Sequence, residues 1–498
     1  MLINNQKNQF DNQHSRNELK KNSLRGGAVT VTSQGLMTLI QLGSTMILAR
    51  ILTPQDYGML AMVVTVTGFA AVLNNLGLTF ATVQRKEINH QQVSALFWIN
   101  AAFGGFVALI VAMLSPVVAW FYKTPELVWM MLALSSNFFI NGLAAQHSAL
   151  LTRQMRFYTL AKVQILAMII GIMVAIVAAT HGFGYWALVL NSITMTVVSV
   201  VGYWIASGWI PALPKRNNDV KSMIKFGTDI VGFNIINYFS RNFDNILIGR
   251  FCGSTSLGYY DKAYQLLMMP IMNLRDPMTQ VAMPALSKLQ DEKEQYRSYY
   301  VKYISIIAFI TMPLVVFMYA CSDQLIYVLL GPQWLEVSDI FKILAIAALI
   351  QPVSTTWGLI LLSMGRSKRY LKLGMVNSLI TVAAFAVGLP WGTKGVASAY
   401  AVVTYLLVYP TFLYAFKDTP VKFIDLLMAI YKPLAAGLIM GLVCTSVLEL
   451  MGGLTSILIL MVCSVVCLFI YGLAFVLFSS GRQSLREYYS YLRIIFVK

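Results

Sequence analysis

Five polar residues at helical spacing stand out in an otherwise apolar stretch: Asn234, Asn237, Arg241, Asp244 and Asn245. At about 100° per residue they share roughly a third of one helix circumference. The same run also carries Asp229, and the following run places Tyr260, Tyr264 and Arg275 on one face. A charged side chain deep in a bilayer costs at least about 2.5–3.5 kcal/mol, so such residues face a wet cavity, a partner or a substrate. An arginine fork matches phosphate oxygens at two points, which makes Arg241 and Arg275 candidates for holding an anionic headgroup. The competing reading is local neutralisation, of Arg241 by Asp244 at i, i+3 and of Arg275 by Asp276. The Asn and Tyr stripe favours the cavity, because isolated pairs would not require it. Asp229, Asp244 and Asp276 are either counter-charges or candidates for coupling to a proton or sodium gradient.

The elements that must position these residues follow from composition. Of 498 residues, 58% are hydrophobic and 11% charged, against about 25% charged in a soluble domain. This excludes a soluble globular enzyme. A helical span takes about 20 apolar residues, and hydropathy gives fourteen runs: 26–49, 58–80, 94–121, 127–150, 159–180, 185–209, 224–249, 257–286, 301–330, 337–363, 371–390, 394–416, 425–449 and 453–479. The runs are continuous, without period-two alternation, so the expected class is an all-α polytopic membrane protein and not a barrel. Residues 1–25 read as a disordered cytoplasmic tail, and the first run is too long for a cleaved signal peptide. Residues 480–498 form a second tail, of which Arg482 to Lys498 reads as an interfacial helix.

Net charge is +17, but the basic residues are spread over loops and form no nucleic-acid patch. Twenty-eight of them, including Arg85, Lys86, Arg153, Arg156, Lys215, Arg216, Arg366, Lys368 and Arg369, fall in the tails and alternate loops. Only Arg50, Lys123, Arg250, Lys262, Lys342 and Lys394 fall on the other side. The bias makes both termini cytoplasmic and the number of spans even.

Ile47-Leu48-Ala49-Arg50 and Gly58 match Leu247-Ile248-Gly249-Arg250 and Gly258 at an offset of 200. Leu150-Leu151-Thr152 matches Leu361-Leu362-Ser363, and Gly184-Tyr185-Trp186-Ala187 matches Gly395-Val396-Ala397-Ser398, both at 211. The chain therefore reads as a parallel repeat of two six-helix lobes, 26–209 and 224–416, joined by a linker at 210–223 and followed by two helices at 425–479. The substrate path is expected between the lobes. The offset of 200 carries the charged stripe onto Gln34, Met37, Gln41, Ser44 and Thr45, and Arg275 onto Asn75, so the first half is polar but neutral where the second is charged. Pro270, Pro277 and Pro284 are expected to bend span 8 around a cavity.

Other candidates are weaker. Lys432 can snorkel to the cytoplasmic surface, and Glu449 is interfacial by position. Asn137 and Asn141 either line a cavity or bond between helices. His14, His90, His147 and His181 are scattered and suggest no metal. Cys252, Cys321, Cys444, Cys463 and Cys467 read as packing residues. No nucleophile and base pair, phosphate loop or acidic cluster appears in the loops, so no catalytic residue is expected.

Ala49-Arg50-Ile51-Leu52-Thr53-Pro54-Gln55-Asp56-Tyr57-Gly58, Gln84-Arg85-Lys86-Glu87, Leu151-Thr152-Arg153-Gln154-Met155-Arg156-Phe157, Ala263-Tyr264-Gln265, Pro284-Ala285-Leu286-Ser287-Lys288-Leu289-Gln290 and Gly331-Pro332-Gln333-Trp334 resemble the polysaccharide transporter family of the MOP flippase superfamily. They look closest to its colanic-acid-type oligosaccharide flippases. The resemblance implies a two-lobed transporter in the bacterial cytoplasmic (inner) membrane. Its substrate would be a polyprenyl-diphosphate-linked oligosaccharide, flipped by alternating access for exopolysaccharide, capsule or O-antigen synthesis. It also implies a lipid-tail groove at the last two helices, no cofactor, and a polymerase and chain-length regulator as candidate partners. Family members resemble one another in a cationic central cavity. By position, Arg241, Arg275, Asn234, Asn237, Asn245, Gln34, Gln41, Asn75 and Tyr264 would bind substrate here. The alternatives are an ion-coupled multidrug exporter of the same superfamily and a membrane glycan-assembly enzyme. The first would favour an acidic site in the first half, where every charge between Gly26 and Pro211 lies in a loop or near a span end; the second would need a large outer loop.

Overall fold

The computed structural model describes residues 16–74, 78–85, 88–213, 220–451 and 454–478. At the start of the first helix, and in most of the eighth ahead of Asn242, only the backbone is described. Among the described residues there is no strand. The helices are α1 (Arg16–Ile51), α2 (Pro54–Asn74), α3 (Leu78–Gln84), α4 (His90–Tyr122), α5 (Leu127–Arg153), α6 (Phe157–Thr180), α7 (Tyr185–Ser207) and α8 (Val220–Lys288). They continue as α9 (Lys293–Ala320), α10 (Ser322–Leu329), α11 (Glu336–Ser354), α12 (Trp357–Ser363), α13 (Ser367–Gly388), α14 (Gly392–Phe416), α15 (Phe423–Leu450) and α16 (Ser456–Leu477).

Nine helical segments among the described residues are long and apolar enough to cross a membrane: α4, α5, α6, α7, α9, α11 with α12, α13 with α14, α15 and α16. The 50-residue segment Ser367–Phe416 holds two passes, because a short 3-10 turn at Leu389–Trp391 and Gly392 at φ 68° separate α13 from α14. With α1, α2 and the two arms of α8, the helices follow the expected runs in order. Large apolar side chains point outward along them, Trp120 at 79%, Ile205 at 77% and Leu468 at 76% exposure. In water such a surface would aggregate; in lipid it is the required exterior. The protein is a multi-pass membrane protein.

The chain forms two compact units that part at Gly258/Tyr259, later than the 210–223 linker. The reason lies in the first arm of α8. Tyr238 donates to the Val64 and Thr65 carbonyls at 3.2 and 2.9 Å, and Gly249 lies against Tyr122 and Met62. Helix α1 starts at Arg16, so residues 16–25 of the expected tail are helical. Residues 1–15 and 479–498, including His14, lie outside the described residues.

In the first unit, α4 packs on α5, α6 on α7, and α1 on α6. Helix α2 opens with a reciprocal cap: Thr53 Oγ1 accepts from the Asp56 amide at 3.3 Å and Asp56 Oδ2 from the Thr53 amide at 2.8 Å, with Pro54 at the first helical position. At the matching place in α8, Gly253 breaks the helix at φ 89°. The glycines that follow these breaks, Gly58 and Gly258, meet reciprocally. A Cβ on Gly58 would strike the Ser254 carbonyl, and a Cβ on Gly258 the Pro54 carbonyl, a pairing that keeps the offset of 200.

The second unit is built on α9, which packs against α15 and α11, with α14 against α11 and α13. Its core gathers Ile307, Tyr300, Ile360, Leu361, Phe412 and Leu426. Lipid offers little hydrophobic drive between helices, so dispersion and interhelical hydrogen bonds select this packing. The Arg297 guanidinium grips the Asp425 carboxylate at 2.9 and 2.6 Å and joins the starts of α9 and α15.

The second offset shifts by one residue at one turn and by three at the other. Met155 and Gly365 share a left-handed turn, φ 54° and 71°. The Arg156 amide donates to the Leu151 carbonyl and the Arg366 amide to the Leu361 carbonyl, an offset of 210 in place of 211. Gly184 corresponds in backbone to Gly392 and not Gly395, since Gly184 and Gly392 carry φ 53° and 68°. A sequence match slides along such turns because a left-handed position accepts glycine or, at a cost, another residue.

Candidate functional site

The second unit holds a continuous polar seam. Arg275 donates from Nε and Nη2 to Asp276 Oδ1 at 3.0 and 2.7 Å, and from Nη1 to Thr355 Oγ1 at 3.3 Å. Neighbouring helical residues point about 100° apart, so this pair forms only because the long arginine arm swings toward the carboxylate. Arg275 is 16% exposed and Asp276 47%. One turn on, Thr279 donates to the Arg275 carbonyl and shares a 2.8 Å bond with the Tyr303 hydroxyl. Helix α9 extends the seam with Tyr300 bonded to Thr356 at 2.8 Å and Tyr296 to Ser363 at 2.7 Å. Tyr296, Tyr300 and Tyr303 recur at i, i+4 and i+7, one helix face. That spacing was present in the sequence, but tyrosine in an apolar run reads as packing until its hydroxyl finds a partner.

Of the charged stripe in α8, Asp244 is buried at 7% exposure and accepts the Asn245 amide at 2.9 Å, and Asn245 is half-buried. Gln34 and Gln41 are exposed on α1, and Tyr264 is half-buried. The side chains of Asp229, Asn234, Asn237 and Arg241, and all of Asn75, lie outside the described residues. Arg275 pairs with Asp276, the contact expected from their adjacency, and also reaches Thr355. Lys262, placed on the outward side by sequence, is buried at 6% exposure with Nζ 2.7 Å from Gln265 Oε1, nine residues beyond the break at Gly253. Lys432 is half-buried with Nζ 5.7 Å from the Tyr431 ring centre, and Glu449 is exposed near the end of α15.

The first unit carries polar contacts of another kind. Asn137 donates to Ser192 at 3.0 Å, an interhelical bond between α5 and α7, and Asn141 is exposed. Thr82 donates to Gln146 at 2.8 Å. Arg153, 4% exposed, donates to the Thr82 carbonyl at 3.0 Å and also to the Arg85 carbonyl, satisfying the end of α3. His147 stacks on Trp204 at 4.3 Å and bonds Ser207 at 2.8 Å, while His90 accepts from Trp209 at 2.9 Å. The histidines that looked scattered thus include two in one aromatic cluster, which only the folding of α4, α5 and 208–213 could reveal.

At the turn before α13, Arg366 donates to the Lys417 and Asp418 carbonyls, both at 2.6 Å. Arg369 reaches the Lys417 carbonyl at 2.7 Å and the Asp418 carboxylate at 3.1 Å. Its guanidinium holds the Asp418 carboxyl below the usual carboxylate range. Arg156 does the equivalent in the first unit with one bond, to the Ala206 carbonyl at 2.9 Å. Each arginine occupies the C-terminal end of the helix it ties down, where a cation suits the dipole.

The comparisons with known proteins agree on a class. The teichuronic acid biosynthesis protein TuaB of Bacillus subtilis is 27% identical over 351 residues, 70% of this chain and 73% of its own. The succinoglycan biosynthesis transport protein ExoT of Rhizobium meliloti is 24% identical, covering 82% of each chain. In fold, the inward closed structure of the lipid II flippase MurJ superposes with a TM-score of 0.71 over 89% of this chain and 97% of its own, at 13% identity. The model of the polysaccharide biosynthesis protein family matches residues 47–339, more than half of the sequence, and the chain belongs to that family.

Proposed function

We propose that the protein is a transporter, a flippase that moves a polyprenyl-diphosphate-linked oligosaccharide from the cytoplasmic to the outer leaflet by alternating access. Arg275 carries the reading. It is a mostly buried arginine at one end of the polar seam, with its counter-charge on the adjacent residue, so an incoming diphosphate can compete for the guanidinium with the charge of the site already balanced. Family membership supports a glycan precursor as cargo over a cationic drug, as do the neutral side chains of the first half. Arg241, by its place in the sequence on the α8 stripe, is a second headgroup candidate. Asp244 and Asp276 are the coupling candidates for a proton or sodium gradient.

In this reading the membrane is the bacterial cytoplasmic membrane and both termini are cytoplasmic. A polymerase and a chain-length regulator would receive the flipped unit. The test is leaflet exposure of a labelled polyprenyl-diphosphate oligosaccharide in proteoliposomes. Transport by wild type and loss with Arg275→Ala supports both cargo and site. Equal transport by both discards the arginine, and no transport by wild type discards the cargo. Reporter fusions at Lys123 and Lys394 should read outside and at Lys215 inside.

A further inference from the structure

Four of the five cysteines converge in the second unit. Cys321 sits at the junction of α9 and α10, Cys444 lies in α15, and Cys463 and Cys467 lie one turn apart in α16. All are at most 3% exposed. The sulfurs of Cys321, Cys444 and Cys463 lie within 4.8 Å of one another, and Cys321 Sγ is 3.7 Å from Cys444 Sγ. Cys467 belongs to the same cluster of buried residues.

A disulfide requires sulfurs about 2.05 Å apart, so these are free thiols. Two thiolates on a tetrahedral zinc ion, each about 2.3 Å from the metal, stand about 3.8 Å apart, close to the separation of Cys321 and Cys444. We propose that Cys321, Cys444 and Cys463 form a binding site for one thiophilic closed-shell cation, of the class Zn2+ represents. Thiol ligands select such ions over hard cations. The surroundings, Val316, Ala436, Met440, Ile459, Tyr471 and Phe475, are almost wholly apolar, so the complex must carry little net charge. Binding of Zn2+ to three thiols releases three protons to water and leaves three thiolates on the ion, with one net negative charge at the site. Two features beside it accommodate residual negative charge. Cys321 immediately precedes α10, whose first peptide dipoles favour an anion, and the adjacent Ser322 hydroxyl is buried without a hydrogen-bond partner.

The test uses the full chain, purified in detergent under reducing conditions, exposed to Zn2+ and desalted, with Cd2+ as an optical probe. Elemental analysis should find one ion per chain, Cd2+ should give a sulfur-to-metal charge-transfer band, and the melting temperature should rise with metal. C444S and C463S should each weaken retention at least tenfold, and C252S should leave it unchanged. Retention by wild type equal to that of the Cys321→Ser, Cys444→Ser, Cys463→Ser variant overturns the site, as does no retention by wild type. A native mass two hydrogens short, mapped to a Cys321–Cys444 disulfide, overturns it too. If C444S fails to fold, C463A supplies the same comparison from α16.

Discussion

Arg156 and Arg366 stand at the same place in their halves of the repeat, after the same left-handed turn, and each closes the end of a helix that lies about fifty residues further on. A few turns into the membrane the likeness ends. The first unit offers Asn137 to Ser192 and Thr82 to Gln146, neutral pairs that hold helices together. The second offers Arg275, Asp276 and a row of tyrosine hydroxyls. The difference separates two demands on one backbone plan. Helix ends must satisfy their carbonyls wherever they emerge from lipid, so both halves carry the same solution. The polar interior answers to cargo: among the described residues the second unit holds a charge pair in its seam, whereas in the first Asp244 and Arg153 are buried against backbone groups.

The comparison breaks if the neutral half proves as sensitive as the charged one. Arg275→Ala should lower leaflet transport at least tenfold with unchanged membrane abundance, and Asn137→Ala by less than about threefold. Equal losses would move the site. The frame should fail symmetrically. Gly58→Leu and Gly258→Leu each push a side chain into backbone, an overpacking cost of about 1–3 kcal/mol, and the two should lower the melting temperature in detergent by similar amounts; a harmless Gly258→Leu would mean that the reciprocal contact does not matter. The arginine ties should differ by number. Arg366→Ala, losing two carbonyl bonds, should cost about 1 kcal/mol and Arg156→Ala about half that, read as thermal stability; the reverse order would contradict the geometry. The smallest effect is a pH dependence. Arg369 lowers the Asp418 carboxyl in the folded protein, so its contribution is fully present above the ordinary carboxylate pKa of about 3.9. It is lost as pH falls through the lower folded value. Wild type should melt slightly above Asp418→Asn at neutral pH and converge with it in acid.

The order of helices was legible because each span is a long apolar run and membranes permit few alternatives. The glycines at 58 and 258 were marked by their offset of 200, whereas the cap at Thr53 and Asp56 emerges only from the folded backbone. What escaped was contact between runs far apart in sequence. The tyrosine row, the His147 and Trp204 stack, and the gathering of Cys321 with Cys444 and Cys463 depend on which faces meet, and apolar runs with no dominant face give little sign of that.

Gly58 and Gly258 meet through main chain alone, each facing the other arm's carbonyl oxygen. Glycine is already the smallest residue, so a bulky replacement at one position cannot be relieved by trimming the other. In a genetic screen, defects at these two sites should therefore never suppress each other. Revertants should return to glycine, or arise at residues that shift the arms bodily.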